Sequence, residues 1–202
     1  MVSLDLMEFI ERDILPRYGA FDDAHNMEHV VRVIRASLPL AKKLGAEEDM
    51  VYVVAAYHDL GLEGPRAVHH LTSGKILKAD KRLRKWFSER QIEIMQEAVE
   101  DHRASASRAP RSVYGRIVAE ADRDLNPDSV FLRTIQFGKA HYPDKTKEEH
   151  FERFCQHMTE KYSRAGYIKL WIEGSQNEKD LAELRSIIEN KEQLRKRFDA
   201  LW

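Results

Sequence analysis

The chain has 202 residues, of which 43% are hydrophobic, so it can bury a substantial core as one domain. Charged residues make up 33% and leave a formal net charge of -1, which provides no basic field for nucleic acid. The single cysteine, Cys155, excludes an internal disulfide framework and fits a reducing compartment. We find neither a signal-peptide pattern nor an apolar run of roughly 20 residues, so we expect a cytoplasmic protein without a membrane partner.

Helical periodicity dominates the chain and predicts an all-α fold. Helices are expected over about 4–15, 27–44, 47–60, 69–78, 81–87, 89–102, 112–125, 128–141 and 147–162, with a terminal helical stretch from about 177. Pro39 should kink the second of these helices or break it in two. Residues 167–172 alternate in part, a pattern compatible with an extended segment.

His58 and Asp59 follow an apolar run that begins at Met50, at positions where the pattern expects core residues. Burial of an imidazole beside a carboxylate is costly unless hydrogen bonds or a metal ion satisfy both groups. Histidine and aspartate together suit divalent transition metals. Because two adjacent residues cannot hold an ion alone, the interpretation depends on further ligands elsewhere in the chain.

The helical period identifies other polar residues that should face the apolar interior. Asp122, His102 and His29 each lie on the apolar face of a different predicted helix, whereas Glu120 is expected on a more polar side. With the helix of Asp59, four helices then offer polar side chains to one interior. Helical bundles build metal sites in this way; the alternative is a buried hydrogen-bonded cluster without an ion.

In order along the chain, His29, His58-Asp59 and Asp122 resemble the H…HD…D pattern of the HD-domain superfamily of metal-dependent phosphohydrolases. The resemblance extends over about residues 20–125 and implies an HD-domain helical bundle. It also implies that His29, His58, Asp59 and Asp122 bind a divalent metal ion. The pair His25-Asn26 departs from the pattern of many relatives, which have His-Asp there, and this leaves the role of His25 open.

From this resemblance we expect a single domain over 1–202, with an HD core at about 20–125 and a mostly helical C-terminal extension at about 126–202. Whether the apolar segment 167–172 packs on the body or on a second chain is open, so a homodimer is one alternative.

The proposed ligands contain nitrogen and oxygen but no thiolate, a set that fits Mn, Fe, Co, Ni or Mg. Two histidines and two carboxylates leave room for water and a substrate oxygen, which suits a catalytic site. We expect one metal site. His69, His70 and His102 resemble the extra histidines of several HD enzymes, which implies either a second site bridged through Asp59 or proton donation to the substrate. Which of His69 and His70 faces the site is open, because adjacent residues do not share a helix face.

The predicted catalytic residues are Asp59, His70 and His102, with Asp59 orienting or accepting a proton of water and the histidines serving as donors. Asp101 either orients His102 or lies in solvent. The predicted substrate-binding residues are cationic side chains suited to phosphate, Arg32, Lys75, Arg103, Arg108 and Arg111. For the arginines in the loop 103–111, the alternative is a solvated surface charge.

The resemblance predicts a metal-dependent phosphohydrolase whose small substrate is a phosphate ester or anhydride, with a nucleotide as the leading class. Two other functions stay open. One is a nucleotide-sensing HD module without turnover, and the other is a di-iron oxygenase on the same scaffold. The oxygenase would require a complete second metal site.

Overall fold

The structure is a computed structural model that describes residues 1–22, 25–106 and 108–202. Within these residues it contains ten α-helices and no β-strand, which confirms the predicted all-α class. The helices are α1 Leu4–Asp13, α2 Met27–Leu44, α3 Glu48–Tyr57, α4 His69–Ala79, α5 Glu89–Glu100, α6 Val113–Asp122, α7 Pro127–His141, α8 Lys147–Tyr162, α9 Gln176–Glu189 and α10 Lys191–Leu201. Short 3-10 helices cover Leu15–Ala20, Leu60–Glu63, Arg66–Val68 and Lys81–Lys85. None of the described helices is long and apolar enough to cross a membrane.

The chain divides into two compact units, Met1–Asp122 and Arg123–Trp202. The first unit is built around α3, in which every residue from Met50 to Tyr57 is buried. Helices α2, α5 and α6 pack against α3, and α4 packs against α5. A helix that is apolar on all sides belongs at the centre of a bundle. The residues that follow α3 are therefore delivered into the interior.

The second unit contains α7 to α10 and has its own aromatic core. The ring of Phe154 lies 5.3 Å from that of Phe131 and 5.2 Å from that of Phe198. Asn190 ends α9, and its side chain accepts a hydrogen bond from the backbone of Gln193 at the start of α10. This cap explains why the terminal stretch predicted as one helical region consists of two helices.

The structure bears on two local predictions, the kink or break at Pro39 and the extended segment 167–172. Helix α2 runs unbroken from Met27 to Leu44 with Pro39 inside it. A proline removes one helical hydrogen bond, but burial of Ile34 and Ala41 on either side holds the helix against the core. Residues 167–172 form no strand, and no strand exists elsewhere in the described residues for them to pair with. Ile168 and Ile172 are nevertheless buried, which accounts for the alternating pattern.

Gly61 sets how closely α4 approaches the end of α3. Its amide donates a hydrogen bond of 2.8 Å to Ser73 Oγ in α4. A Cβ atom at this position would overlap the carbonyl oxygen of His69 and lie 2.6 Å from the backbone nitrogen of Ser73. Both atoms belong to the backbone and cannot move aside as a flexible side chain can. The start of α4 can therefore lie against residues 58–61 only because residue 61 is glycine.

We predict that Gly61→Ala lowers the free energy of unfolding by about 1–3 kcal/mol, because α4 must shift to relieve the overlap. Gly19→Ala is the matched control, since a Cβ atom at Gly19 would meet nothing within 4 Å. The measurement is chemical denaturation of the two variants and the parent protein. Equal stability of Gly61→Ala and the parent would contradict this account of the packing.

Candidate metal centre

Four side chains of the first unit converge from two helices, α2 and α6, and from the residues that follow α3. His29 Nε2 lies 3.1 Å from His58 Nε2, 3.4 Å from Asp59 Oδ2 and 3.3 Å from Asp122 Oδ1. His58 Nε2 lies 3.2 Å from Asp59 Oδ2 and 3.8 Å from Asp122 Oδ1. His58 is fully buried, and Asp122 is the member most open to solvent, with 24% of its side chain exposed. These four residues, which we name the first group, are the four metal ligands predicted from the sequence.

The other oxygen of Asp59 faces a second group of histidines. Asp59 Oδ1 lies 3.4 Å from His69 Nε2 and 3.4 Å from His102 Nε2. The two Nε2 atoms are 3.2 Å apart. Asp59, His69 and His102 form the second group, so one carboxylate belongs to both groups through different oxygens.

Three of the histidines are oriented by the same local interaction. His58 Nδ1 lies 2.7 Å from the carbonyl of Ala55, and His69 and His102 have the equivalent contact with the carbonyl three residues earlier, at 2.8 Å and 2.6 Å. A carbonyl only accepts hydrogen bonds, so each Nδ1 must carry the hydrogen. In a neutral ring this leaves the Nε2 lone pair free as a ligand, and in all three rings Nε2 is the atom that faces Asp59.

Helix ends supply most of the site. His58 and Asp59 follow α3, His102 follows α5, and Asp122 is the last residue of α6. The last carbonyls of a helix have no partner within the helix and carry partial negative charge. Two of these helix ends therefore gain the ring N–H of His58 or His102 as a hydrogen-bond donor, and all three favour a cation beside them.

The pKa shifts show that the first group attracts positive charge. Burial opposes protonation of His29, but the carboxylates of Asp122 and Asp59 outweigh it and raise its pKa to about 9. Burial likewise opposes protonation of His58, and Asp59 outweighs it, so the pKa of His58 is also raised. Burial would raise the pKa of Asp59, yet His58, His102 and His29 hold it well below its usual value. In the absence of metal, protons take the place of a cation among these groups.

Arg32 contacts residues of the first group on two helices. Its guanidinium donates to the backbone carbonyls of Ala121 and Asp122, at 3.2 Å and 3.1 Å, and lies 3.3 Å from His29 Nδ1. It thereby joins the ligand of α2 to the ligand of α6. These contacts use at most three of its five N–H donors, so the predicted contact with a substrate phosphate stays a prediction.

Asp101 is buried and anchors the loop that follows His102. Its carboxylate accepts hydrogen bonds from the backbone nitrogen of Arg111 at 2.7 Å, from Arg111 Nε at 2.9 Å and from Arg108 Nη2 at 3.2 Å. Arg111 also donates to Glu100 at 2.7 Å. The two arginines are thus engaged in holding the loop, and this placement does not favour the substrate contacts expected of them. Ser107 of the predicted loop 103–111 lies outside the described residues.

The remaining predicted site residues lie around the second group. His69, rather than its neighbour His70, is the histidine that reaches Asp59; the ring of His70 lies 5.6 Å from the ring of His69. Arg103 donates to the carbonyl of Ala67 at 2.9 Å, and Lys75 is exposed on α4. The catalytic role expected of His70 and the substrate contacts expected of Arg103 and Lys75 stay predictions.

One orientation prediction is wrong. Glu120 was expected on the polar side of its helix, but it is 1% exposed. The reason is that α6 is buried on more than one side, since Gly115 and the whole stretch from Ile117 to Ala121 are buried.

His25, whose role the sequence left open, is tied to its surroundings. Its Nδ1 lies 2.6 Å from Asp22 Oδ1, and its Nε2 lies 3.3 Å from Arg66 Nη2. Because Arg66 can only donate, Nε2 accepts and Nδ1 donates to Asp22. Both ring nitrogens are therefore engaged outside the two groups.

The distances among the histidines and Asp59 in each group fit a divalent metal ion. Ligand atoms about 2.1 Å from an ion lie about 3.0 Å apart in octahedral and about 3.4 Å apart in tetrahedral coordination. The contacts among the histidines and Asp59 fall between 3.1 and 3.4 Å in both groups. Several acceptor atoms this close repel one another unless a proton or a metal ion lies among them. His29, His58 and Asp59, and separately Asp59, His69 and His102, can each hold a divalent ion.

We predict that the protein loaded with Mn²⁺ and desalted holds two ions per chain, that His69→Ala holds one, and that His70→Ala keeps two. Only His69 directs a ring nitrogen at Asp59, while its neighbour serves as the matched control. Elemental analysis by mass spectrometry gives the metal-to-protein ratio. An equal ratio in the two variants would contradict the assignment of His69 to the second group.

Comparison with known proteins assigns the chain to a family. Neither the curated proteins nor the solved structures include a significant match to this chain. The chain does match the HD domain family over residues 26–126, half of its length, and this span contains every residue of both groups. The ordered residues His29, His58-Asp59 and Asp122 thus stand on a helical fold within the matched span. The chain belongs to the HD domain family.

Proposed function

We propose that this protein is a metal-dependent phosphohydrolase that cleaves a phosphate ester or anhydride, with nucleotides as the substrate class. The observation that carries the proposal is the division of Asp59 between the two groups, one oxygen directed at His29 and His58 and the other at His69 and His102. Membership of the HD domain family supports it, because that family suggests metal-dependent hydrolase activity.

Bound divalent ions would supply a Lewis acid that polarises a phosphoryl oxygen and lowers the pKa of water, so that a nucleophile is available near neutral pH. The chain supplies the geometry. His58, His69 and His102 are held with Nε2 forward by the backbone carbonyls of Ala55, Arg66 and Val99. A site held in advance in this way need not reorganise during the reaction.

Asp59 is proposed as the residue that would hold both ions. Each of its oxygens is directed at a histidine group, so its contribution to catalysis is placement of the ions rather than acceptance of a proton. Asp122 completes the first group on the side open to solvent, where a substrate can approach. His102, expected from the sequence to donate a proton, is assigned here to the second group as a ligand.

Cationic and neutral donors near the second group would receive the phosphate. Arg103 lies close enough to His70 to influence its pKa, which burial and the neighbouring positive charges lower. His70 and Arg103 are proposed to donate hydrogen bonds to the phosphoryl oxygens, with Lys75 as a more distant cation. Arg108 and Arg111 are given no part, because both are engaged by Asp101.

The second group also supports a second candidate function, a di-iron oxygenase. Such an enzyme needs two adjacent metal positions bridged by a carboxylate, and Asp59 with its four histidines offers this arrangement. The two candidates differ in what they consume. An oxygenase takes up O₂ and is active only with iron, whereas a phosphohydrolase releases phosphate or a phosphorylated product without O₂.

We predict that protein stripped of metal and reloaded with Mn²⁺, Co²⁺, Ni²⁺, Fe²⁺ or Mg²⁺ hydrolyses at least one member of a panel of nucleotides and phosphate esters under nitrogen. Asp59→Asn should lower kcat/KM at least about 100-fold, because the amide retains only one ligand oxygen and no charge, so one ion loses this ligand and the other is held more weakly. Release of phosphate or nucleoside is followed by chromatography, and the fold of the variant by circular dichroism.

Full activity in a folded Asp59→Asn variant would falsify the proposal. Tight nucleotide binding with no turnover under any metal would favour the nucleotide-sensing module instead, and O₂ uptake by the iron form would favour the oxygenase.

A further inference from the structure

A groove of about 920 Å³ runs along the exposed side of the first half of α2. Its apolar lining includes Met27, Val31 and Ala36, and its charged lining comprises Glu28, Arg32 and Arg35. Sites for small ligands have volumes of about 300–1,000 Å³ and combine apolar walls with a few polar groups. The groove is open to solvent, and by size and composition it can accommodate part of a small organic molecule.

Arg32 connects this groove to the first metal group. Arg32 lines the groove, and its guanidinium donates to the carbonyl of Asp122 at 3.1 Å and lies 3.3 Å from His29 Nδ1. A molecule in the groove would therefore lie beside Arg32, the residue whose guanidinium contacts both His29 and the backbone of Asp122. The part of a substrate that does not react has to lie in a space of this kind.

Arg35 is the second cation of the groove, and it lies one helical turn beyond Arg32. It is exposed, and among the described residues none accepts a hydrogen bond from it or forms an ion pair with it. Most arginines of the first unit differ in this respect; Arg17 and Arg84, for example, have carboxylate partners at 2.7 Å.

Glu28 lies two turns before Arg35, in the first turn of α2, where a carboxylate is favoured by the helix dipole. The charge along the groove thus changes from negative at Glu28 to positive at Arg32 and Arg35.

We propose that the groove binds the non-reacting part of the substrate and that Arg35 binds a second phosphoryl group on it. This inference rests on the proposed phosphohydrolase function and narrows the substrate to compounds that carry two phosphoryl groups separated by an organic spacer. The reacting group lies at the metal ions, the spacer lies against Met27, Val31 and Ala36, and the second group meets the free guanidinium. Arginine suits this role because its planar donors pair with two phosphate oxygens at once.

The test uses probes with C–P bonds, which a phosphohydrolase does not cleave. Butylphosphonate and butane-1,4-bisphosphonate differ only by the second anionic group. Both are titrated calorimetrically into protein loaded with Mn²⁺, and into the variants Arg35→Gln and Arg116→Gln. Arg116 is the matched control, because it is equally an exposed arginine of the first unit, changes the net charge by the same amount, and does not line the groove.

We expect the parent protein to bind the bisphosphonate at least about tenfold more tightly than butylphosphonate, and Arg35→Gln to remove most of that preference. Arg116→Gln should retain it. If Arg35→Gln keeps the full preference, or if the parent protein shows none, the inference is overturned while phosphonate binding at the metal ions still stands. If the metal-loaded parent binds neither probe, the proposed phosphohydrolase function fails together with it.

Discussion

The carboxylate of Asp59 is the interaction on which the rest of the site depends. It is buried at the end of the most apolar helix of the first unit, and each oxygen faces a different pair of histidines. A buried carboxylate without compensation would be strongly destabilising, so its burial makes sense only if positive charge lies on both sides. When no metal is present, His29 and His58 supply positive charge as protons, because their pKa values are raised. The arrangement of the two histidine pairs around Asp59 is suited to two ions.

The bundle is organised so that helix ends deliver these groups with fixed orientation. Helices α3, α5 and α6 end at the site, and the rings of His58 and His102 each hydrogen bond to a carbonyl in the last turn of the preceding helix. One contact therefore gives a carbonyl at the helix end a donor, fixes the hydrogen on Nδ1 and directs Nε2 at Asp59. Gly61 adds the close approach of α4 that brings His69 to the same carboxylate. Stability and ligand geometry arise from the same contacts.

Much of this could be predicted from the sequence, because helical periodicity records which side of a helix is buried. It identified most of the helices and the inward positions of His29, His58, Asp59, His102 and Asp122. Helical periodicity could not choose between His69 and His70, since the pair stands at the first turn of α4, where the orientation depends on the approach of Gly61 and not on a repeating pattern.

Helical periodicity also misplaced Glu120, because α6 is buried on more than one side. The hydrogen bonds of Arg108 and Arg111 to Asp101 could not be predicted either, because a loop has no periodic pattern that indicates which charged side chains will pair. The structure has two compact units, and this division does not test the prediction of one domain over 1–202, which stays a prediction.

The most direct test of the shared carboxylate is anomalous X-ray diffraction from crystals of the protein loaded with Mn²⁺, recorded on both sides of the manganese absorption edge. The account predicts two anomalous peaks, one bounded by His29, His58, Asp59 and Asp122 and the other by Asp59, His69 and His102, with a different oxygen of Asp59 at each. A single peak, or two peaks of which one has no contact with Asp59, would contradict it.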